Sequence, residues 1–111
     1  MENLSIGQIV LASFLFSDLI GKKLRPCYIV GISEFDDIIL CQITSQPYQS
    51  KRAVSLLVTD FKKGTIVSDS YIRPDKLATL DIKLVKQVLG TVTDEKSEQV
   101  KQVLKNILAL E

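Results

Sequence analysis

The 111-residue sequence contains no histidine. That absence removes the commonest acid/base group, the commonest zinc ligand and every Ser-His or Cys-His nucleophile pair. Any catalysis must therefore draw on Arg, Lys, Asp, Glu, Tyr, Ser or Thr. Cysteine is scarce too. Cys27 and Cys41 are too few for a disulfide scaffold or a zinc site, and both sit in apolar segments where small thiols are commonly buried. No apolar run approaches the roughly 20 residues needed to cross a bilayer, and Met1-Glu2-Asn3 lacks the basic start of a secretory signal. The expectation is a cytoplasmic protein without a membrane role. Nor is there an excess of charge of one sign: 14 basic residues against 13 acidic leave +1, so bulk charge does not announce a nucleic-acid binder.

What remains is an ordinary globular composition, 46% hydrophobic and 24% charged. Residues 1–111 suit a single domain with one core. The first two-thirds of the chain carry short β-branched runs separated by turn residues, the pattern of an all-β barrel or sandwich. Strands are expected at Gly7 to Ala12, Pro26 to Ile32 and Asp37 to Thr44. The last two are joined across Ser33, Glu34, Phe35 and Asp36 as an antiparallel hairpin in which Cys27 and Cys41 could face one another. Ser13 to Leu24 reads as a long polar connection, and Ser45 to Arg52 as an exposed loop because of Pro47 and its polar neighbours.

Ala53 to Thr59 is a further strand candidate, and Asp60 to Gly64 reads as a turn with two lysines. Ser70 to Arg73 and Lys76 to Leu80 look like strand pieces interrupted by Pro74, which cannot donate to a ladder. Ile82 to Gln87 suggests a helical turn and Val88 to Val92 another strand. Val100, Val103, Leu104, Ile107 and Leu108 then recur at helical spacing along Asp94 to Leu110, with Thr93 as cap and Asp94 and Glu95 near the positive end. This helix is expected to pack on the barrel.

The cations cluster in and beside the connections of the β portion: Lys22, Lys23, Arg25, Lys51, Arg52, Lys62, Lys63, Arg73 and Lys76. Loops emerging at one end of a barrel would make a phosphate-tracking surface at near-zero net charge, although lysine pairs are often simply solvated. Arg25 is less ordinary, because it directly precedes Pro26 and an apolar strand that backs its guanidinium with a rigid element. Thr44 and Ser45 end the hairpin partner of that strand, so their hydroxyls should lie near the same end of the sheet. Arg73-Pro74-Asp75 adds a cation and a carboxylate around a bend.

In order along the chain stand Gly7-Gln-Ile-Val, Phe14-x-Phe-Ser-Asp18, Lys23-Leu-Arg25-Pro26, Cys41-Gln-Ile-Thr44-Ser45, Asp69-Ser-Tyr-Ile-Arg73-Pro74-Asp75-Lys76 and Leu89-Gly90-Thr91-Val92. In order and spacing this set resembles the MazF/PemK family of type II toxin-antitoxin toxins over nearly the whole length. The resemblance implies a small SH3-like β-barrel with a C-terminal helix, a homodimer held inactive by a cognate antitoxin, and metal-independent cleavage of single-stranded RNA without a cofactor. The implied products are a 2′,3′-cyclic phosphate and a 5′-hydroxyl. The family's catalytic arginine maps onto Arg25 and its hydroxyl onto Thr44, with Arg73 and Asp75 similar to an Arg and acid used by some members. Some relatives employ a histidine in the first long loop, which this chain cannot supply.

RNA contact would then fall to Lys22, Lys23, Ser45, Gln46, Tyr48, Lys51 and Arg52. Tyr48 is suited either to stacking on a base or to anchoring its loop. Two other functions are compatible with the same barrel: a non-catalytic, gyrase-directed toxin like CcdB, and an RNA-binding regulatory module without turnover.

Overall fold

β-Branched and apolar residues dominate the segments that become strands, and the computed structural model describes residues 4–14, 23–46 and 50–110. Among the described residues seven strands follow the chain: β1 (Gln8–Phe14), β2 (Lys23–Ile32), β3 (Asp37–Thr44), β4 (Val54–Leu56), β5 (Phe61–Gly64), β6 (Ser70–Asp81) and β7 (Val85–Val92). A 3₁₀ turn, Ile82–Leu84, leads into β7, and one helix, α1 (Asp94–Ile107), follows it. All pairings are antiparallel, in the order β4-β6-β3-β2-β1-β7-β5. The sheet curls but its edge strands β4 and β5 do not pair, so the barrel stays half open with the helix on one side.

The central strands read as almost continuous apolar runs because both faces of the sheet are covered. One face carries Ile9, Tyr28, Cys41, Ile43, Leu56 and Ile72 together with Val100 of α1. The other carries Val10, Ala12, Cys27, Ile29, Ile38, Leu40, Leu80 and Val85. Each fully buried aliphatic side chain among them contributes about 1.5–3 kcal/mol. Cys27 and Cys41 therefore do not face one another: Cys27 lies opposite Gln42 and Cys41 opposite Tyr28, on different faces. Both are free, and burial raises the Cys27 thiol to about 12 and that of Cys41 further still.

Next to the hairpin turn the β2–β3 register is set by a tight turn in which Phe35 and Asp36 adopt φ of 55° and 66° and Asp37 N–H donates to Glu34 C=O at 3.0 Å, and it shifts by one residue between Ile29 and Gly31. Holding a phenylalanine in this left-handed region costs roughly 1–2 kcal/mol, offset by the ladder that the turn aligns. Pro74 does not divide the sixth strand in two. It is buried within one long β6, where the register with β3 jumps between Cys41↔Leu77 and Gln42↔Arg73, leaving Pro74, Asp75 and Lys76 in a bulge.

Two other segments differ from the sequence reading. Phe61–Gly64, expected as a turn, is the edge strand β5, pairing with Thr91 and Gly90 of β7. A Cβ on Gly64 would overlap Leu89 O and one on Gly90 would overlap Lys63 O, so the close approach requires both glycines. The helical turn stops at Leu84, and β7 begins at Val85, because Ala12 of β1 is there to pair with it. At α1, Thr93 Oγ1 accepts from Lys96 N–H at 3.2 Å, and Asp94 and Glu95 occupy the first turn. Val100, Val103 and Leu104 pack inward as the periodicity predicts, whereas Leu108 lies half exposed just past the helix end, followed by Ala109 at φ 57°.

Candidate active site

Antiparallel register decides which side chains share a face, since residues directly opposite one another point the same way. Ala12 lies opposite Arg25 and Thr44 opposite Tyr71. The paired ladder of β2 and β3 ends with Cys27 opposite Gln42, and the same register carried two residues further along both strands would bring Arg25 level with Thr44. One row across four strands thus reads Ala12, Arg25, Thr44, Tyr71. The next reads Val10, Cys27, Gln42, Arg73. Both rows lie on the face away from α1, at the rim where the apolar cluster gives way to polar groups.

Arg25 is half-buried, and among the described residues its guanidinium has no acidic partner. Its strand has a neighbour on each side, which fixes its backbone. Thr44, also half-buried, ends β3, where its Oγ1 accepts from Gln46 N–H at 3.1 Å. That bond uses a lone pair and leaves the hydroxyl proton available to donate outward. A fixed cation beside a fixed hydroxyl donor is a phosphate-gripping pair.

Arg73 is engaged differently. Its Nε and one terminal nitrogen donate to the two carboxylate oxygens of Asp75 at 3.2 and 2.7 Å, a fork closed across the bulge that Pro74 creates. The side chains are 16% and 29% exposed. Hydrogen bonds from Arg73 hold the Asp75 carboxyl below its usual range, against the opposing effect of burial. An ionised carboxylate with both oxygens occupied is a poor proton acceptor.

The remaining sequence-predicted residues divide. Ser45 and Gln46 follow Thr44, exposed. Lys51 and Arg52 are exposed just before β4, which runs beside β6 with Val54 opposite Ile72, so they lie toward the Arg73 bulge. Lys23 opens β2 opposite Phe14. Lys22 and Tyr48 lie outside the described residues. Lys62 is not at this rim: it sits on β5, at the far edge of the sheet, and bonds Asp94 at 2.9 Å. Among the described residues no three Cys, Asp or Glu side chains converge to hold a metal ion.

One polar residue on this face escaped sequence reasoning. Gln42 lies between Cys27 and Arg73, and its Oε1 is buried without a hydrogen-bond partner. The available signal was its position two residues before Thr44, a polar side chain alternating onto the same face inside an apolar strand.

The family model described as the PemK-like, MazF-like toxin of type II toxin-antitoxin systems matches residues 6–108. The chain belongs to this MazF/PemK-like toxin family. Solved MazF structures share its fold. A MazE-MazF structure from Deinococcus radiodurans superposes with a TM-score of 0.77 at 18% identity, over 97% of this chain and 98% of that one. The Mycobacterium tuberculosis toxin MazF-mt6 gives 0.75 at 14% identity, over 94% and 98%. A mycobacterial endoribonuclease in complex with its cognate antitoxin gives 0.74 at 21%, over 100% and 98%. No curated protein matches the chain significantly. Membership covers both arginines, Thr44 and the β6 bulge, so the whole rim belongs to the MazF-like part of the chain.

Proposed function

We propose that this MazF/PemK-like toxin is a metal-independent endoribonuclease that cleaves single-stranded RNA at the Arg25–Thr44 rim. What supports the reading is that Arg25, without an acidic partner among the described residues, and Thr44, whose hydroxyl keeps a proton to donate, lie on neighbouring strands whose register would carry them level. RNA supplies its own nucleophile, so the protein needs to align the 2′-hydroxyl and stabilise charge on the phosphorane, work that requires no histidine. The 2′-oxygen bonds to phosphorus as the bond to the 5′-oxygen breaks. The proton leaving the 2′-hydroxyl passes to solvent, and the departing 5′-oxygen takes one from solvent, giving a 2′,3′-cyclic phosphate and a 5′-hydroxyl.

In this reading Arg25 neutralises the equatorial oxygens and Thr44 donates to one of them. Arg73 adds positive charge beside the adjacent phosphate, and Asp75 acts as the orienter of Arg73 rather than as a base. Ser45, Gln46, Lys51 and Arg52 track the strand, with Lys22, Lys23 and Tyr48 assigned to the same role from their residue types and loop positions in the sequence. The family likeness extends the proposal to a homodimer silenced by an antitoxin, and two of the similar structures are toxin-antitoxin complexes.

The test is cleavage of defined single-stranded RNA with EDTA present, followed by analysis of the ends. Cyclic-phosphate and 5′-hydroxyl termini are expected. Activity that disappears with chelator, or ends bearing 5′-phosphate, would refute the mechanism. Intact RNA with damaged DNA in producing cells would favour the gyrase-directed alternative.

A further inference from the structure

A buried acceptor without a donor costs roughly 1–3 kcal/mol, and native proteins keep few of them. Gln42 Oε1 is such an acceptor. It does not sit at random: Gln42 occupies the row next to Arg25 and Thr44, on the same face, with Arg73 directly opposite on β6 and Cys27 opposite on β2. The face is rich in donors, namely Arg25, the Thr44 proton and Arg73. Among the described residues its carboxylate, Asp75, is already held by Arg73, and Thr44 Oγ1 already accepts from Gln46. A nucleophilic hydroxyl entering this face needs an acceptor to orient it, and Gln42 carries one with nothing bound.

We propose that Gln42 is a substrate-contacting residue whose side-chain carbonyl accepts the hydrogen bond of the RNA 2′-hydroxyl at the scissile nucleotide. This rests on the ribonuclease reading above. Oε1 itself is buried, while the residue as a whole is only half-buried, so the carbonyl must turn to meet a ligand. A half-turn about the terminal torsion exchanges Oε1 and Nε2 and gives up no hydrogen bond of Oε1, which has none. The amide stays neutral throughout. It fixes the direction of the attacking lone pair and takes no proton, while Arg25 and Thr44 hold the phosphate two residues further along the strands.

The experiment uses the full chain and its Gln42→Met variant, which preserves length and removes the acceptor. The probes are an RNA oligonucleotide spanning a mapped cleavage site and the same oligonucleotide with one 2′-deoxynucleotide there, used as a competitive inhibitor. In Gln42→Met, kcat/KM for the RNA should fall about five- to tenfold, the worth of one hydrogen bond. The inhibition constant of the deoxy probe should stay unchanged, and the unfolding temperature should stay level or rise, because an unsatisfied acceptor has gone. A parallel weakening of the deoxy probe would overturn the 2′-hydroxyl assignment, as would an unchanged kcat/KM. Wild-type protein that leaves the RNA intact would instead remove the ribonuclease reading, and this proposal with it. If Gln42→Met does not fold, Gln42→Leu serves the same comparison.

Discussion

Replacing Arg25 should separate catalysis from stability more cleanly than any other change at this rim. The guanidinium is half-buried, has no acidic partner among the described residues, and lies opposite Ala12 on a strand flanked on both sides. Removing it breaks no ion pair among the described residues, so Arg25→Ala should move stability by about 0.5 kcal/mol or less, near 2 °C in unfolding temperature. Its effect on turnover should be far larger. A group that meets charge developing on the phosphorane contributes on the scale of an oxyanion-hole donor, about 100- to 1,000-fold in kcat. Arg25→Lys is the informative intermediate, because it keeps a positive point but loses the planar fork, and should retain more activity than Ala while remaining well below wild type. The assay is single-turnover cleavage of a fluorescent RNA, with thermal unfolding run on the same preparations. Full activity in Arg25→Ala would refute the mechanism. A loss matched by collapse of the fold would show that the residue is structural.

Three further outcomes follow from the same geometry. Thr44→Val keeps the strand shape but removes both the donated proton and the acceptor for Gln46 N–H, and single-turnover assays should show a loss of about tenfold or more with little change in KM. Gly90→Ala should destabilise by about 1–3 kcal/mol in denaturant titrations, because its Cβ would overlap Lys63 O and force β5 off the sheet; unaltered stability would contradict the close packing of β5 on β7. Asp75 has its pKa lowered in the folded state by Arg73, so its stabilisation is complete above the unfolded carboxylate value and lost as pH falls through the folded one. Asp75→Asn should therefore flatten the acid limb of stability against pH below about 4, and an identical acid limb in both proteins would disprove the coupling.

Much of the fold was legible because its signals are local. The β2–β3 hairpin, the Thr93 cap and the Val100-Val103-Leu104 stripe each follow from residues within a few positions of one another. β5 was not, because Phe-Lys-Lys-Gly has no strand pattern of its own, and what makes it a strand is room against Gly90, some 26 residues later. The cysteine pairing failed for a different reason: the register set next to the turn shifts by one residue at the irregularity between Ile29 and Gly31, which no residue pattern announces, and that shift puts Cys27 and Cys41 on opposite faces. For the site, Arg25 and Thr44 were readable as strand ends of one hairpin. Arg73 and Asp75 were visible as neighbours, but their fork depends on the bulge, which no spacing announces. Gln42 is informative only once its missing partner is known.

The two arginines show how a histidine-free rim can divide its labour. Arginine keeps its proton at any ordinary pH, so neither residue can gain or lose charge during a catalytic cycle, and any difference between them must come from their surroundings. Arg73 faces a carboxylate that cancels most of its charge and fixes its plane, which suits it to orienting a phosphate already bound. Arg25 has no such counter-charge among the described residues, which suits it to meeting negative charge that appears only in the transition state. An exchange of these environments should exchange the kinetic signatures. Asp75→Asn frees Arg73 to attract RNA more strongly, lowering KM, and leaves kcat governed by Arg25. A variant that instead lowers kcat and spares KM would mean that Arg73, not Arg25, carries the developing charge.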